Sequence, residues 1–141
     1  MKRGEQAQTI IEFALIAPII MLLLFMILDA GLLLIRRAAL DDAVRQGATE
    51  AAVGVPAATA AAYTAEHSLG LLDGAGVVVC APDADHVRVS AEWSWRWLSG
   101  PLVARLGGGA IADVTLRPSA DRRIEVEAGA TVTPEALPPC E

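Results

Sequence analysis

The most constraining feature of this chain is an apolar run near its N-terminus with a carboxylate at its start. From Phe13 to Ile35 only Asp29 is charged, and these 23 residues exceed the roughly 20 that cross the hydrocarbon core as a helix. A helix of this length that is apolar on all sides is typical of a membrane span. Glu12 lies at its mouth, where an unpaired charge costs about a few kcal/mol or more if it enters lipid.

A cleaved secretory signal peptide is the alternative for such a run. Its basic start would be Lys2 and Arg3, but the apolar run is longer than the roughly 7–15 residues of a signal core and lacks a clear cleavage site. We therefore expect a retained membrane helix over 9–37. Two basic residues lie before this helix and two, Arg36 and Arg37, lie at its end. The positive-inside rule alone therefore leaves the orientation open.

The cysteines indicate which side the rest of the chain occupies. Both cysteines, Cys80 and Cys140, follow the helix. An even pair in a small domain beyond a membrane span favours a disulfide and an extracytoplasmic location, with two unpaired thiols as the alternative. We therefore expect a single-pass protein of the cytoplasmic (inner) membrane with its N-terminus in the cytoplasm. Residues 38–141 hold seven arginines against fourteen Asp and Glu, which argues against nucleic-acid binding.

The helix is expected to extend beyond the membrane surface. The Ala-rich stretch to Val53 keeps helical spacing without a proline, whereas Pro18, inside the span, should kink the helix or end a first turn. A second helix is expected over 57–69. The predicted regions are a basic leader (1–8), a transmembrane helix (9–37), an extracytoplasmic helical segment (38–72) and an extracytoplasmic antiparallel β domain (73–141).

The last of these regions alternates apolar and polar residues, which predicts antiparallel strands with one buried face. Strands are expected at 77–80, 87–97, 112–117 and 124–132, with a flexible connection over 99–109. A single small sheet needs a cover, and the projecting Ala-rich helix is the available one. The predicted fold class is therefore α+β, with a long N-terminal membrane helix that continues into a projecting helix packed on a small antiparallel sheet of three to four strands.

The predicted β domain offers two candidate sites with simpler explanations. Trp93, Trp95 and Trp97 share one face of the 87–97 strand, and we expect them in the core rather than in a partner-binding patch. Asp83, Asp85 and His86 could form a metal loop, but a solvated turn is the simpler interpretation of these residues. Since no zinc-type ligand set or catalytic signature appears, we expect no enzyme activity, no cofactor and no metal site.

The N-terminal residues also resemble a known family. Residues 8–18, Gln-Thr-Ile-Ile-Glu-Phe-Ala-Leu-Ile-Ala-Pro, are similar to the signature of TadE-like proteins, the pseudopilins of tight-adherence (Tad/Flp) pilus systems. The similarity covers about residues 4–52. It implies a pilin-like fold and a non-catalytic, membrane-anchored minor pilin or pseudopilin that takes part in assembling a Tad/Flp-type pilus. The implied partners are other pilin subunits, a prepilin peptidase, an inner-membrane assembly platform and membrane lipid.

The resemblance also implies processing between Ala7 and Gln8, which would make Glu12 and Phe13 the fifth and sixth residues of the mature chain. The family usually has Gly where this chain has Ala7. The new α-amino group, positive below its usual pKa of about 8, would pair with Glu12 of the same or a neighbouring subunit and set the stagger of packed helices. The alternative is a Glu12 that is simply solvated at the headgroup level.

Pro18 and Asp29 are further candidate assembly residues. For Asp29 the alternative, which we favour, is an interfacial acid near Arg36 and Arg37. A different class of function is also open for the whole chain. It would be a bitopic membrane protein whose extracytoplasmic domain binds a ligand or another envelope protein without assembling.

Overall fold

The computed structural model describes residues 3–72, 76–125 and 137–140, with side chains from Gln8 onward. The predicted α+β fold class is confirmed by a long N-terminal helix followed by small antiparallel sheets. Within the described ranges the elements are α1 (Arg3–Ala52), α2 (Ala57–Glu66), β1 (Val77–Asp83), β2 (His86–Ala91), β3 (Trp93–Trp95), α3 (Gly100–Arg105), β4 (Val114–Leu116) and β5 (Ser119–Arg123).

Helix α1 dominates the first third of the chain. Its 50 residues are rich in Ala and Leu, which favour helix, and at a rise of 1.5 Å per residue they extend about 75 Å. The helix continues through Pro18, so the alternative that Pro18 ends a first turn is wrong. A proline is tolerated in a membrane helix because neighbouring groups satisfy the freed carbonyl. Beyond α1, Gly54 adopts a φ of 92°, a left-handed conformation that only glycine adopts readily.

Contacts divide the chain into two compact units, Met1–Leu33 with Arg96–Asp113 and Leu34–Trp95 with Val114–Glu141. The second unit contains the main hydrophobic core. There the C-terminal part of α1, helix α2 and the sheet bury one face each, as predicted for a sheet that needs a cover. The buried residues of this cluster are Leu40, Val44, Ala48, Ala51, Ala52, Ala60, Leu72, Val77, Val79, Val87, Val89 and Ala91.

The described strands form two antiparallel sheets rather than the single one expected. One has the order β1-β2-β5 and the other pairs β3 with β4. The predicted continuous strand over 87–97 was wrong, because it is interrupted at Glu92 and its two halves pair with different strands. The alternation of side chains continues across this break, so the pattern alone does not reveal it.

Two further segments differ from the sequence-based expectation. The connection over 99–109 contains the short helix α3, which begins at Gly100 with Pro101 in its first turn, a position that suits proline. The last described strand lies at Ser119–Arg123, whereas the sequence pattern placed it from Ile124 onward. Its pairing with β2 extends from Ser119 opposite Ser90 to Arg123 opposite His86. The remainder of the strand predicted over 124–132 lies outside the described residues from position 126 onward.

The C-terminal residues run beside the edge strand β1. The backbone N–H of Ala81 donates to the Pro138 carbonyl at 3.0 Å, and Pro139 forms a parallel bridge with Ala81. Next to this bridge Cys80 and Cys140 are joined in a disulfide, with their Cα atoms 5.1 Å apart. The tail therefore closes one edge of the three-stranded sheet, which reduces the exposure of unpaired backbone groups there.

Candidate functional site

The first candidate residues lie on one face of α1 near its start. The side-chain amide of Gln8 donates to the Glu12 carboxylate, Nε2 to Oε1, at 3.2 Å. Residues four apart on a helix are neighbours on its surface, which places these two groups one turn apart. The next residue, Phe13, is 70 % exposed. The side chain of Ala7 lies outside the described residues.

The surface of α1 that follows is apolar and uncovered. The helix is long and apolar enough to cross a membrane, and none of its most apolar stretch is buried within the structure. Pro18 lies on this exposed surface. The large exposed hydrophobic side chains here are Ile10, Ile11, Phe13, Leu15, Ile16, Ile19, Ile20, Met21, Leu23, Leu24, Met26, Ile27, Leu28, Leu34 and Ile35. A patch of this extent far exceeds what soluble monomers expose and is typical of a surface that contacts lipid or another protein.

The environment of Asp29 differs from both sequence-based interpretations, an assembly residue and an interfacial acid near Arg36 and Arg37. Its side chain is fully buried, and its two oxygens accept the backbone N–H groups of Leu98 at 3.0 Å and Ser99 at 2.9 Å. These donors immediately precede α3, whose N-cap residue is Ser99, so the carboxylate from α1 fixes the two backbone N–H groups that lie just before the first turn of that helix. The sequence Ser99-Gly100-Pro101 is a recognisable signal for the start of a helix. It does not reveal that Asp29, on α1, accepts the backbone N–H groups next to that start.

The arginine nearest to Asp29 in the sequence makes a different contact. The Arg36 guanidinium lies 5.6 Å from the ring centroid of Trp93 and 4.9 Å from that of Trp95, a cation–π arrangement. Trp95 is buried and Trp93 is half-buried. The expected burial in the core is therefore complete for Trp95 and partial for Trp93.

The third tryptophan is separated from the other two. Trp97 follows β3 and belongs to the unit that contains residues 96–113. It is half-buried, and its indole Nε1–H donates to the Ala112 carbonyl at 3.0 Å. The expectation of one tryptophan face on one strand was therefore wrong, because β3 ends at Trp95.

The acidic turn between β1 and β2 is held by its own side chains. The Asp83 carboxylate accepts the Asp85 backbone N–H at 2.9 Å and contacts Nδ1 of His86 at 2.8 Å. The His86 side chain, followed by the Asp85 amide, lowers the pKa of Asp83 below its ordinary value. Across the ranges that the structure describes, no group of three or more His, Cys, Asp or Glu side chains is arranged to hold a metal ion.

Comparison with known families addresses the N-terminal part of the chain. The family model described as TadE-like protein matches residues 7–49. This part of the chain is therefore similar to TadE-like proteins. The match confirms the resemblance noted from the sequence, and it contains Gln8, Glu12, Pro18 and Asp29 within the bounds of α1. No curated protein and no solved structure matches the chain significantly.

Proposed function

We propose that this protein is a membrane-anchored minor pilin or pseudopilin that takes part in assembling a Tad/Flp-type pilus. One observation carries the proposal, namely that the TadE-like residues 7–49 coincide with the helix whose apolar surface is uncovered. In a pilin-type subunit this surface is held in lipid before assembly and against other subunits afterwards. The proposed role is structural and non-catalytic.

The proposed organisation follows from this role. Residues 1–8 act as a basic leader and residues 9–37 as the transmembrane and assembly helix, with the N-terminus in the cytoplasm. Residues 38–72 and 73–141 form the extracytoplasmic helical and β portions. The disulfide between Cys80 and Cys140 supports this orientation, because disulfides persist in oxidising compartments.

The proposed processing step gives Glu12 a specific role. A prepilin peptidase cuts between Ala7 and Gln8 and creates an α-amino group one helical turn from the Glu12 carboxylate. The contact between the Gln8 and Glu12 side chains supports this, because it places the two residues on one face of α1. A salt bridge between Glu12 and the new amine, within one subunit or between two, offsets the desolvation of the carboxylate and sets the stagger of neighbouring helices.

The N-terminal mass of the membrane-extracted protein tests the proposal. The measurement compares cells that contain the prepilin peptidase of the same pilus system with cells from which it is deleted. We expect loss of residues 1–7 only where the peptidase is present. An unchanged start at Met1 or Lys2 in both strains would contradict the pilin proposal and favour a bitopic protein that binds a ligand or an envelope partner without assembling.

A further inference from the structure

We propose that residues 96–106 form a second membrane contact, a short interfacial segment whose apolar side chains enter the lipid leaflet beside the far end of the α1 span. The partner is the lipid bilayer itself. This inference rests on the proposed membrane anchorage of α1. It adds that a segment about 70 residues further along the chain shares the same bilayer.

The depth of this segment follows from its bonds to Asp29. Asp29 lies sixteen residues after Phe13, which corresponds to about 24 Å along a helix. The hydrocarbon core is about 30 Å thick, so Asp29 lies inside the core near its far boundary when the span begins at Phe13. Because the N–H groups of Leu98 and Ser99 lie 3.0 and 2.9 Å from its carboxylate, their backbone lies at the same depth.

The side chains of the segment suit this position. Leu98, Leu102 and Leu106 are 58 %, 40 % and 66 % exposed. Arg96 precedes these leucines and Arg105 lies between the last two, and both arginines are exposed. Apolar side chains interspersed with arginines are typical of segments that lie in the plane of a membrane interface, where the leucines enter the acyl boundary and the guanidinium groups meet lipid phosphates.

Several backbone N–H groups of the segment have hydrogen-bond acceptors within the protein, as a position in lipid requires. Non-helical backbone at membrane depth requires partners for its N–H groups. Asp29 accepts two of them, and the Ser99 carbonyl accepts the N–H groups of Leu102 at 3.1 Å and Val103 at 3.0 Å. This arrangement also explains the acid within the apolar run, because the carboxylate holds the interfacial segment against α1.

Spin labels on the full-length, oxidised protein test the inference. Single cysteines are introduced as Leu106→Cys in the interfacial segment, Leu23→Cys in the lipid span and Ala84→Cys in the exposed β1–β2 turn. The two native cysteines are joined in a disulfide and do not take the label. Each protein is reconstituted in vesicles of phosphatidylcholine and phosphatidylglycerol. Collision rates of the label with oxygen, which partitions into lipid, and with a water-soluble nickel chelate are then measured.

The expected result is that the label at position 106 resembles that at position 23. Its collision rate with the chelate should be several-fold lower than at position 84, and its collision rate with oxygen higher. A label at 106 that behaves as at 84, while 23 remains in lipid, would overturn the inference and leave the membrane anchorage intact. Exposure of position 23 to the chelate would overturn the anchorage as well. Protection of position 106 only in assembled filaments would assign the surface to a second subunit and also overturn the inference.

A variant of the anchoring carboxylate sharpens the test. Asp29→Asn removes the charge and one acceptor, so the label at 106 should move toward water, with a several-fold rise in collision rate with the chelate. Asp41→Asn is the matched control on the same helix, since Asp41 makes only an exposed contact with Arg37 at 4.0 Å. An equal effect of both variants would contradict the role of Asp29. If Asp29→Asn does not fold, the inference is still decided by the depth of the label in the Leu106→Cys protein that retains Asp29.

Discussion

The carboxylate of Asp29 accepts the backbone N–H of Ser99 at 2.9 Å, across 70 residues of sequence. The acid in the apolar run is therefore neither unpaired nor simply solvated in the described structure. Hydrogen bonds from two backbone amides stabilise its charged form, which reduces the penalty of an ionised group within a membrane-length helix. The contact also ties the segment before α3 to α1.

Removal of this carboxylate should release the segment before α3. In Asp29→Ala the buried N–H of Ser99 and the part-buried N–H of Leu98 lose their acceptor, at about 1–3 kcal/mol for the buried one. We expect faster trypsin cleavage after Arg105 in detergent-solubilised protein. Asp41→Ala is the control, and equal cleavage rates in the two variants would show that Asp29 does not hold the segment.

Gly47→Ala should destabilise the second unit. A Cβ at Gly47 would collide with Oγ1 of Thr64 and lie 3.1 Å from its Cβ. Thr64 is buried, and its hydroxyl donates to the Ala60 carbonyl at 2.8 Å, so it cannot move aside without losing that bond. We expect a loss of about 1–3 kcal/mol in the free energy of unfolding, measured by urea denaturation in detergent with tryptophan fluorescence.

Gly31→Ala is the matched control for this substitution. It lies in the same helix, and apart from its chain neighbours and the adjacent helix backbone no described atom lies within 4 Å of its added Cβ. The higher helix propensity of alanine should leave stability unchanged or raise it by up to about 1 kcal/mol. The double variant Gly47→Ala/Thr64→Ala should lose less than the sum of the single losses, because the collision is relieved. Additive losses would indicate that the two positions are not in contact.

The disulfide should contribute a large part of the stability of the second unit. Cys80 and Cys140 are 60 residues apart in sequence, and a bridge that closes such a loop stabilises by about 4 kcal/mol in the entropy model. The double variant Cys80→Ser/Cys140→Ser should therefore unfold at a markedly lower urea concentration. A wild-type sample in reductant should shift equally. An unchanged midpoint in both would contradict the prediction.

The ion pair between β2 and β5 should make stability depend on acid pH. Nε and Nη2 of Arg88 donate to the two oxygens of Asp121 at 2.6 and 2.9 Å. These bonds lower the pKa of Asp121. Because its folded pKa lies below its unfolded value of about 3.9, the contribution is complete above that value and is lost as pH falls through the folded pKa.

The effect of this pair should be small, since both side chains are 40 % exposed or more and water screens them. Urea midpoints measured across this acidic range should fall less in Asp121→Asn than in wild type. Arg88→Gln should flatten the same part of the profile. A profile that is identical in all three proteins would rule out a contribution from the pair.

Substitution of Glu12 should separate assembly from processing. In Glu12→Gln the side chain keeps its size and can still contact Gln8, but it cannot form a salt bridge with a new α-amino group. We expect normal loss of residues 1–7 by N-terminal mass and a strong reduction in assembled pili by electron microscopy. The exposed Glu66→Gln on α2 is the control. Normal assembly of the Glu12 variant would exclude a register role.

Predictions from the sequence were most accurate where the signal is local. The long helix, the Ala-rich cover and the burial of Val87 and Val89 follow from composition and from periods of 3.6 and 2. The break at Glu92 was not predictable in this way. The same alternation of side chains continues across it, and only the choice of pairing partner separates β2 from β3.

The sequence alone determined that an apolar helix of membrane length begins near the N-terminus, that this helix resembles TadE-like proteins, and that an acid lies within it. These properties depend on residues that are close in the chain. The tertiary structure alone decided the partner of that acid. A carboxylate can accept any nearby N–H, and no local pattern connects Asp29 with Leu98 and Ser99. Only the folding of residues 96–113 against the first part of α1 brings these groups within hydrogen-bond distance.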